Sequence, residues 1–368
     1  MILAAGVGSR LEPLTSNIPK PMVPLVNRPA MEHIIYLLLH HGVREVAANL
    51  WYKPEEIEGY FGDGHGWGIE LRYSREKELL GTAGGVRRLK DFLGGATFLV
   101  ISGDALTDID LGEMLEFHRQ RRALATIALK EVEDTTHFGV VVCNQEGRIL
   151  GFQEKPKREE AQSRLANTGI YIFEPEVLDL IPPDTFYDFG RDLFPRLAEE
   201  GAPFYGYRMS GYWCDIGTLQ QYRLAHYDLL QGKVRLYTPG VVLPTAERPV
   251  VVGEGARVHP TACIEGRAVI GEGCEIGPRA RLRGEVVLGP QCRVEEGAVI
   301  EASVVWGHTL IGPGAHLDHC VVGSECSLHA GARLSPGVIL SDTCVVEAYS
   351  EVATGATFGP GEVVRNGS

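Results

Sequence analysis

From about Val250 onward, apolar residues return every six positions, at Val252, Val258, Ile264, Ile270, Ile276, Leu282, Leu288, Val294, Ile300 and Trp306. Two positions before those from Val258 on stands a small or modest residue: Ala256, Ala262, Ala268, Cys274, Ala280, Val286, Cys292, Ala298 and Val304. The spacing shortens by one after Trp306, to Ile311 and Leu317, and again at Val322. It then runs through Leu328, Leu334, Leu340, Val346 and Val352. A helix repeats near 3.6 residues and a strand at 2, so a sustained period of six belongs to neither alone. It fits a solenoid in which each six-residue unit forms one flat side of a coil. At three sides per coil, the 18 such positions make about six coils.

These repeats resemble the hexapeptide left-handed parallel β-helix, which is the expected fold of residues 250–368. The same pattern explains most of the eight cysteines. Cys274, Cys292, Cys320, Cys326 and Cys344 fall where the repeat wants a small inward residue and are expected as core filler. No Cys-x-x-Cys occurs, so neither a zinc site nor a disulfide framework is expected. His308, His316, His319 and His329 lie on the later coils and read as surface residues. Stacked coils present flat, self-complementary faces, so a homo-oligomer is expected, with the solenoid as its assembly surface.

A chain of 368 residues exceeds one ordinary core, and two domains are expected. Residues 1–235 form the first, 236–249 a linker and 250–368 the solenoid. Within 1–235, strand-like and helical runs alternate. Ala30 to His41 and Leu111 to Arg121 read as helices. Val43 to Leu50, Phe98 to Ser102, Ala125 to Lys130 and Phe138 to Cys143 read as strands. That alternation predicts an α/β layer with a mostly parallel or mixed sheet, whose ligands sit beyond the carboxyl ends of the strands.

The stretch Leu3-Ala-Ala-Gly-Val-Gly-Ser-Arg-Leu-Glu-Pro-Leu-Thr opens within a short apolar run, Met1 to Ala5, that reads as a buried strand. Gly6 and Gly8 permit a tight turn and close backbone approach. Taken alone, that pair is equally well explained by a turn without a ligand. Ser9 adds a hydroxyl and Arg10 a cationic fork matched to phosphate. Lys20 stands between Pro19 and Pro21, which stiffen its mounting. Asp104 follows the apolar run Leu99-Val-Ile-Ser-Gly, where a carboxylate is well placed to hold Mg²⁺ against phosphate oxygens. Asp108 and Asp110 nearby read as turn or cap residues.

Residues 3–25 resemble the signature of the sugar-phosphate nucleotidylyltransferases, Gly-x-Gly-Thr/Ser-Arg-Leu-x-Pro-Leu-Thr followed by Pro-Lys-Pro. The likeness extends to Gly103-Asp104, to Glu154-Lys155-Pro156, to Asn167-Thr-Gly169 and to Trp213-Cys-Asp215-Ile-Gly-Thr. It implies a Rossmann-like nucleotidyltransferase domain with a mixed sheet. It also implies roles: Ala5, Gly6, Gly8, Ser9, Arg10, Lys20, Gly81 and Thr82 on the nucleotide, and Glu154, Lys155, Asn167 and Gly169 on the sugar phosphate. Asp104 and Asp215 would be the Mg²⁺ ligands, and Arg10, Lys20, Asp104 and Asp215 the catalytic set. The implied reaction joins an NTP and a sugar 1-phosphate into an NDP-sugar and pyrophosphate.

Asn27-Arg28-Pro29 with Glu32-His33 resembles the corresponding run of mannose-1-phosphate guanylyltransferases, which points to GTP and mannose 1-phosphate. Glucose 1-phosphate with dTTP or UTP is the alternative. A non-catalytic regulatory subunit that binds an NDP-sugar is another. The Asp188-Phe189-Gly190 triplet lacks the companion motifs of a kinase and carries no such reading. A net charge of −13 argues against nucleic-acid or anionic-membrane partners. No run is long and apolar enough to span a bilayer and no basic leader with a cleavage pattern is visible, so a cytoplasmic location is expected.

Overall fold

The runs expected as buried strands form the middle of a nine-stranded mixed sheet in the computed structural model, which describes residues 1–365. Phe98–Ser102, Ile2–Leu3, Glu45–Leu50 and Glu70–Arg75 are parallel neighbours in that order. Ile2 is their pivot, with Ala48 opposite it on one side and Ile101 on the other. Val46, Ala47, Ala48, Asn49 and Leu50 are all buried. A run buried on both faces, apolar apart from Asn49, is what a parallel strand covered on both faces requires.

Beyond Phe98–Ser102 the sheet turns antiparallel through Leu165–Phe173, which also pairs with Ala125–Glu131 and, at Ala166, with Gly139–Cys143. Ile149–Glu154 and Phe204–Arg208 complete the sheet. The helix Leu111–Gln120 is capped by Asp110, whose carboxylate accepts the Glu113 N–H at 2.9 Å, the cap role expected of it. Phe173, Phe189, Phe194 and Phe204 stack with centroid separations of 5.3–5.4 Å. This column fixes the segment around Asp188 to the sheet. Met1–Val7 and Ile34–Asp215 make up this compact unit.

Gly8–His33 belongs instead with the chain from Ile216 onward. This second unit is built on a parallel β-helix with three ladders. One runs from Cys263 through Arg281, Val299, His316 and Arg333 to Glu351. The second runs from Arg257 to Val363. The third climbs through Val251, Val269, Val287, Val304, Val321, Ile339 and Thr357. From Ile270 on, the inward positions read from the six-residue period form its core, including the five cysteines, whereas Val252 and Val258 of the first coil are exposed and Ile264 is only partly buried against it; all eight cysteines are free thiols.

One detail of the repeat is corrected. Leu288 pairs with Val305, not Trp306, so the shortened side lies before that residue and not after it. Val305 joins the core, and Val304 is one place out as the small position for the same reason. The Trp306 indole lies on the flank, where its N–H donates to the Tyr222 hydroxyl at 2.9 Å. An indole is too large for a column of Leu and Val, and its N–H needs a partner when buried. His308, His319 and His329 are exposed as expected, while His316 is half-buried.

The helix Leu219–Leu230 is capped by Thr218 and buries Tyr222, Ala225, His226 and Leu229. Arg267 of the solenoid donates to its Leu230 carbonyl at 2.7 Å. Among the described residues, no helix is long and apolar enough to cross a membrane.

Candidate active site

Two carboxylate-bearing segments are neighbours at one end of the first unit's sheet. Asp104 directly follows the Phe98–Ser102 strand and Gly103. The short strand Trp213–Asp215 runs antiparallel to Ala105–Thr107, with Asp215 opposite Ala105. The register thus puts Asp215 beside the residue next to Asp104, and both are half-buried. Asp108, read as a turn residue, holds this pairing: its Oδ1 accepts the Tyr212 N–H at 2.6 Å. Lys130 adds a second tie, donating to the Gly211 carbonyl at 2.5 Å. Among the described residues no group of three or more His, Cys, Asp or Glu could hold a metal ion. The donor set fits Mg²⁺ nonetheless, because that ion takes one or two carboxylates and completes its shell with phosphate and water.

The Asn167–Gly169 segment joins the same cluster. It forms a bulge, where the register between Leu165–Phe173 and Ala125–Glu131 shifts after Asn167. Bulges re-aim side chains and are common beside active sites. Asn167 accepts the Gly169 N–H at 3.0 Å and donates to the Tyr171 hydroxyl at 3.0 Å. The Trp213 indole donates to the Thr168 carbonyl at 2.9 Å, tying the bulge to the Asp215 strand. Gly169 has φ 76°, and a Cβ there would come within 2.4 Å of the Ser102 Oγ. Only glycine allows both that backbone and that approach.

Glu154 ends the strand Ile149–Glu154, and its carboxylate lies 3.4 Å from the Lys155 ammonium. Lys155 has φ 46° immediately before Pro156, a costly combination for a non-glycine residue. Strain of this kind persists where surrounding structure enforces it, commonly at binding sites. The ammonium is half-exposed.

Gly81 and Thr82 open the helix Gly81–Arg88. The Thr82 hydroxyl donates to Asp188 Oδ2 at 2.9 Å and accepts the Phe189 N–H at 2.8 Å. Ala83 and Gly84 donate their N–H groups to the Tyr187 carbonyl at 3.0 and 2.9 Å. Asp188 is therefore the anchor of this loop, a role that its sequence context did not reveal. A buried polar pair adds to this support: Asn49 accepts the Ala4 N–H at 3.0 Å and donates to Glu76 at 2.8 Å. Glu76 in turn accepts the Leu80 N–H at 3.0 Å, so the chain around Ala5 and the start of the Gly81 loop share one polar support. A lone Asn in an apolar strand was the available signal.

In the second unit, Gly8, Ser9, Arg10 and Lys20 stand together. Gly8 has φ 76°, and a Cβ there would lie 2.9 Å from the Lys20 Cβ. Its carbonyl accepts from the Thr15 hydroxyl at 3.0 Å. Ser9–Leu11 and Lys20–Met22 are each one tight 3-10 turn, the latter preceded by extended Pro19. Ser9 and Arg10 are exposed and Lys20 is half-buried.

The Asn27–His33 run is occupied by packing. The Asn27 side-chain amide donates to the Leu288 carbonyl at 2.9 Å. Glu32 is buried 3.9 Å from Arg28. His33 is buried between the Thr238 hydroxyl at 2.7 Å and the Leu25 carbonyl at 3.0 Å. Burial pushes its pKa down to about 4, so the ring is neutral at pH 7.

The chain is similar to known proteins in both of its parts. The Nucleotidyl transferase family model matches residues 1–232, and the EIF2B subunit epsilon LbH domain model matches residues 247–352. A UTP–glucose-1-phosphate uridylyltransferase of Synechocystis sp. is 40% identical over 95% of this chain and 93% of its own length. A mannose-1-phosphate guanylyltransferase of Mycobacterium tuberculosis is 37% identical over 72% of this chain and 73% of its own. The crystal structure of HddC from Yersinia pseudotuberculosis complexed with GMP-PN matches with a TM-score of 0.53 at 26% identity, covering 61% of this chain and 96% of that one.

Proposed function

The chain belongs to the nucleotidyl transferase family, and from that premise we propose that it joins an NTP and a sugar 1-phosphate into an NDP-sugar with release of pyrophosphate. The observation that carries this reading is the register that sets Asp215 beside the Asp104 segment at a sheet end. A phosphate oxygen of the sugar phosphate attacks the α-phosphorus in line, the bond to the β-phosphate oxygen breaks, and pyrophosphate leaves. No protein nucleophile is needed, so catalysis rests on positioning and charge neutralisation. Arg10 and Lys20 neutralise the departing pyrophosphate. Gly6 and Gly8 let backbone N–H groups approach the phosphates, and Gly81 and Thr82 line the nucleoside. Glu154 and Asn167 orient the sugar, Lys155 binds its phosphate and Gly169 shapes the bulge that presents Asn167. Asp104 and Asp215 would hold Mg²⁺, which would supply positive charge against the phosphates.

Among substrate pairs we put UTP with glucose 1-phosphate first, supported by the uridylyltransferase relative that matches both parts of the chain. GTP with mannose 1-phosphate is the second reading, supported by the guanylyltransferase relative. The Asn27–His33 resemblance weighs less than its sequence suggested, because Asn27, Glu32 and His33 are engaged in packing. The open first coil, with Val252 and Val258 exposed, supports a homo-oligomer, which sedimentation would test.

The deciding experiment measures pyrophosphate release with Mg²⁺ over the four NTPs and the 1-phosphates of glucose, mannose and N-acetylglucosamine. Turnover with UTP and glucose 1-phosphate is the expected result. Turnover confined to GTP and mannose 1-phosphate would install the second reading. No turnover in any combination, with NDP-sugar still bound, would replace the enzyme by a regulatory binding subunit.

A further inference from the structure

The solenoid grips the segment that carries Arg10 and Lys20 through one column of its coils. Leu288, Val305, Val322 and Leu340 are register partners on four successive coils. From this column or the residue just after it come two direct contacts to the N-terminal segment and one relayed through Tyr222. The Leu288 carbonyl accepts from the Asn27 side chain at 2.9 Å. The Trp306 indole donates to the Tyr222 hydroxyl at 2.9 Å, and that hydroxyl donates to the Pro24 carbonyl at 2.7 Å. The Ser341 hydroxyl donates to the Pro13 carbonyl at 2.8 Å. His226 adds a second bond to Pro24 at 3.2 Å.

Between these fixed points the segment has little freedom. Pro19, Pro21 and Pro24 fix φ at three positions around Lys20. The Met22 N–H bonds to the Pro19 carbonyl at 2.8 Å and the Val23 N–H to the Lys20 carbonyl at 3.2 Å. A displacement at Pro24 therefore carries through to the Lys20 backbone and is not absorbed by the turn. Tyr222 and Ser341 are fully buried, so each hydroxyl bonds in a site where water does not substitute.

We propose that Trp306, Tyr222 and Ser341 are positioning residues for Arg10 and Lys20, which makes the β-helix part of the apparatus that binds the triphosphate and not a separable module. The assignment of Arg10 and Lys20 to the triphosphate rests on the proposed nucleotidyl transfer; the bracing itself does not.

The test uses the full chain with Trp306→Phe, Ser341→Ala and the pair of substitutions together. Trp306→Phe keeps the ring and removes the N–H. Ser341→Ala removes the hydroxyl. Tyr349→Ala, at an exposed solenoid residue, is the control. Amide hydrogen exchange of residues 9–25 and the KM for NTP are read alongside kcat. Each lost bond is expected to speed exchange in that segment and to raise KM for NTP by roughly fivefold, with kcat changing less. Exchange in the coils at 257–294 and the control variant should stay at wild-type values. Unchanged exchange at residues 9–25 in the double variant would overturn the bracing. Faster exchange with unchanged KM would overturn the link to substrate binding. A wild-type protein without turnover would remove the proposed reaction, and the exchange result would still decide whether the solenoid braces this segment.

Discussion

Asp215 stands opposite Ala105 in a two-stranded antiparallel pairing, so the last residue of one strand sits beside the Asp104 segment of the other. If the two carboxylates share one Mg²⁺, each is needed. Asp104→Asn and Asp215→Asn keep size and shape while removing charge, so both variants should fold. Each is expected to lower kcat by about 10²-fold or more, the scale of losing a preorganised charge at the transition state. Chelating the metal from the wild type should abolish turnover to the same floor. Steady-state kinetics with a Mg²⁺ titration checks this, and either variant within threefold of wild type would remove that residue from the metal site.

The Thr82 hydroxyl makes two bonds between its own segment and that of Asp188, one to Asp188 and one from the Phe189 N–H. Thr82→Val preserves the shape and leaves the Phe189 N–H without that partner. A destabilisation of about 1–3 kcal/mol is expected from the unpaired group. Urea denaturation measures it, and a variant as stable as wild type would show that the loop holds by its backbone bonds to Tyr187 alone.

Much of this organisation is legible in the residues themselves. The six-residue period announces the β-helix because each coil repeats the same inward demand, and strand runs such as Phe98–Ser102 are recovered to the residue. The Trp306 misplacement shows the limit: an apolar residue next to the short corner satisfies the pattern, and only the ladder decides between it and Val305. Polar contacts between distant parts of the chain leave no periodic trace. Asp188 holding Thr82, Asn49 holding Ala4 and Ser341 holding Pro13 are long-range pairings of ordinary residues. The grouping of Gly8–His33 with the solenoid is invisible for the same reason. Glycine positions such as Gly8 and Gly169 are legible because backbone geometry constrains them; the polar contacts that support them are not.

His33 and His226 are both buried, and burial pushes each pKa down to about 4 from the ordinary 6.5. The folded protein thus keeps both rings neutral where the unfolded chain takes up protons. Stability from this source is full above pH 6.5, falls as the pH drops from 6.5 towards 4, and levels off below that. The loss is at most about 3 kcal/mol for each histidine over that window. Thermal melting across the window should show Tm falling with acid. His226→Gln should flatten the decline, and a wild-type Tm constant from pH 6.5 to 4 would contradict the neutral buried rings.

Gly169 faces Ser102 across the end of the strand that leads to Asp104. A methyl group there meets two obstacles at once: φ 76° is unfavourable for any L side chain, and the Ser102 Oγ lies 2.4 Å from the new carbon. The backbone term alone costs about 1–2 kcal/mol. The contact must then be relieved by moving Ser102 or the bulge, and Ser102 is two residues from Asp104. Gly169→Ala is therefore expected to lower stability by at least that amount and kcat by about tenfold. Ser102→Gly in the same chain removes the clashing hydroxyl and should recover part of the kcat but not the backbone cost. Denaturation and steady-state kinetics on the single and double variants separate the two effects; no recovery of kcat in the double variant would mean that the bulge, and not Ser102, carries the disturbance to the site.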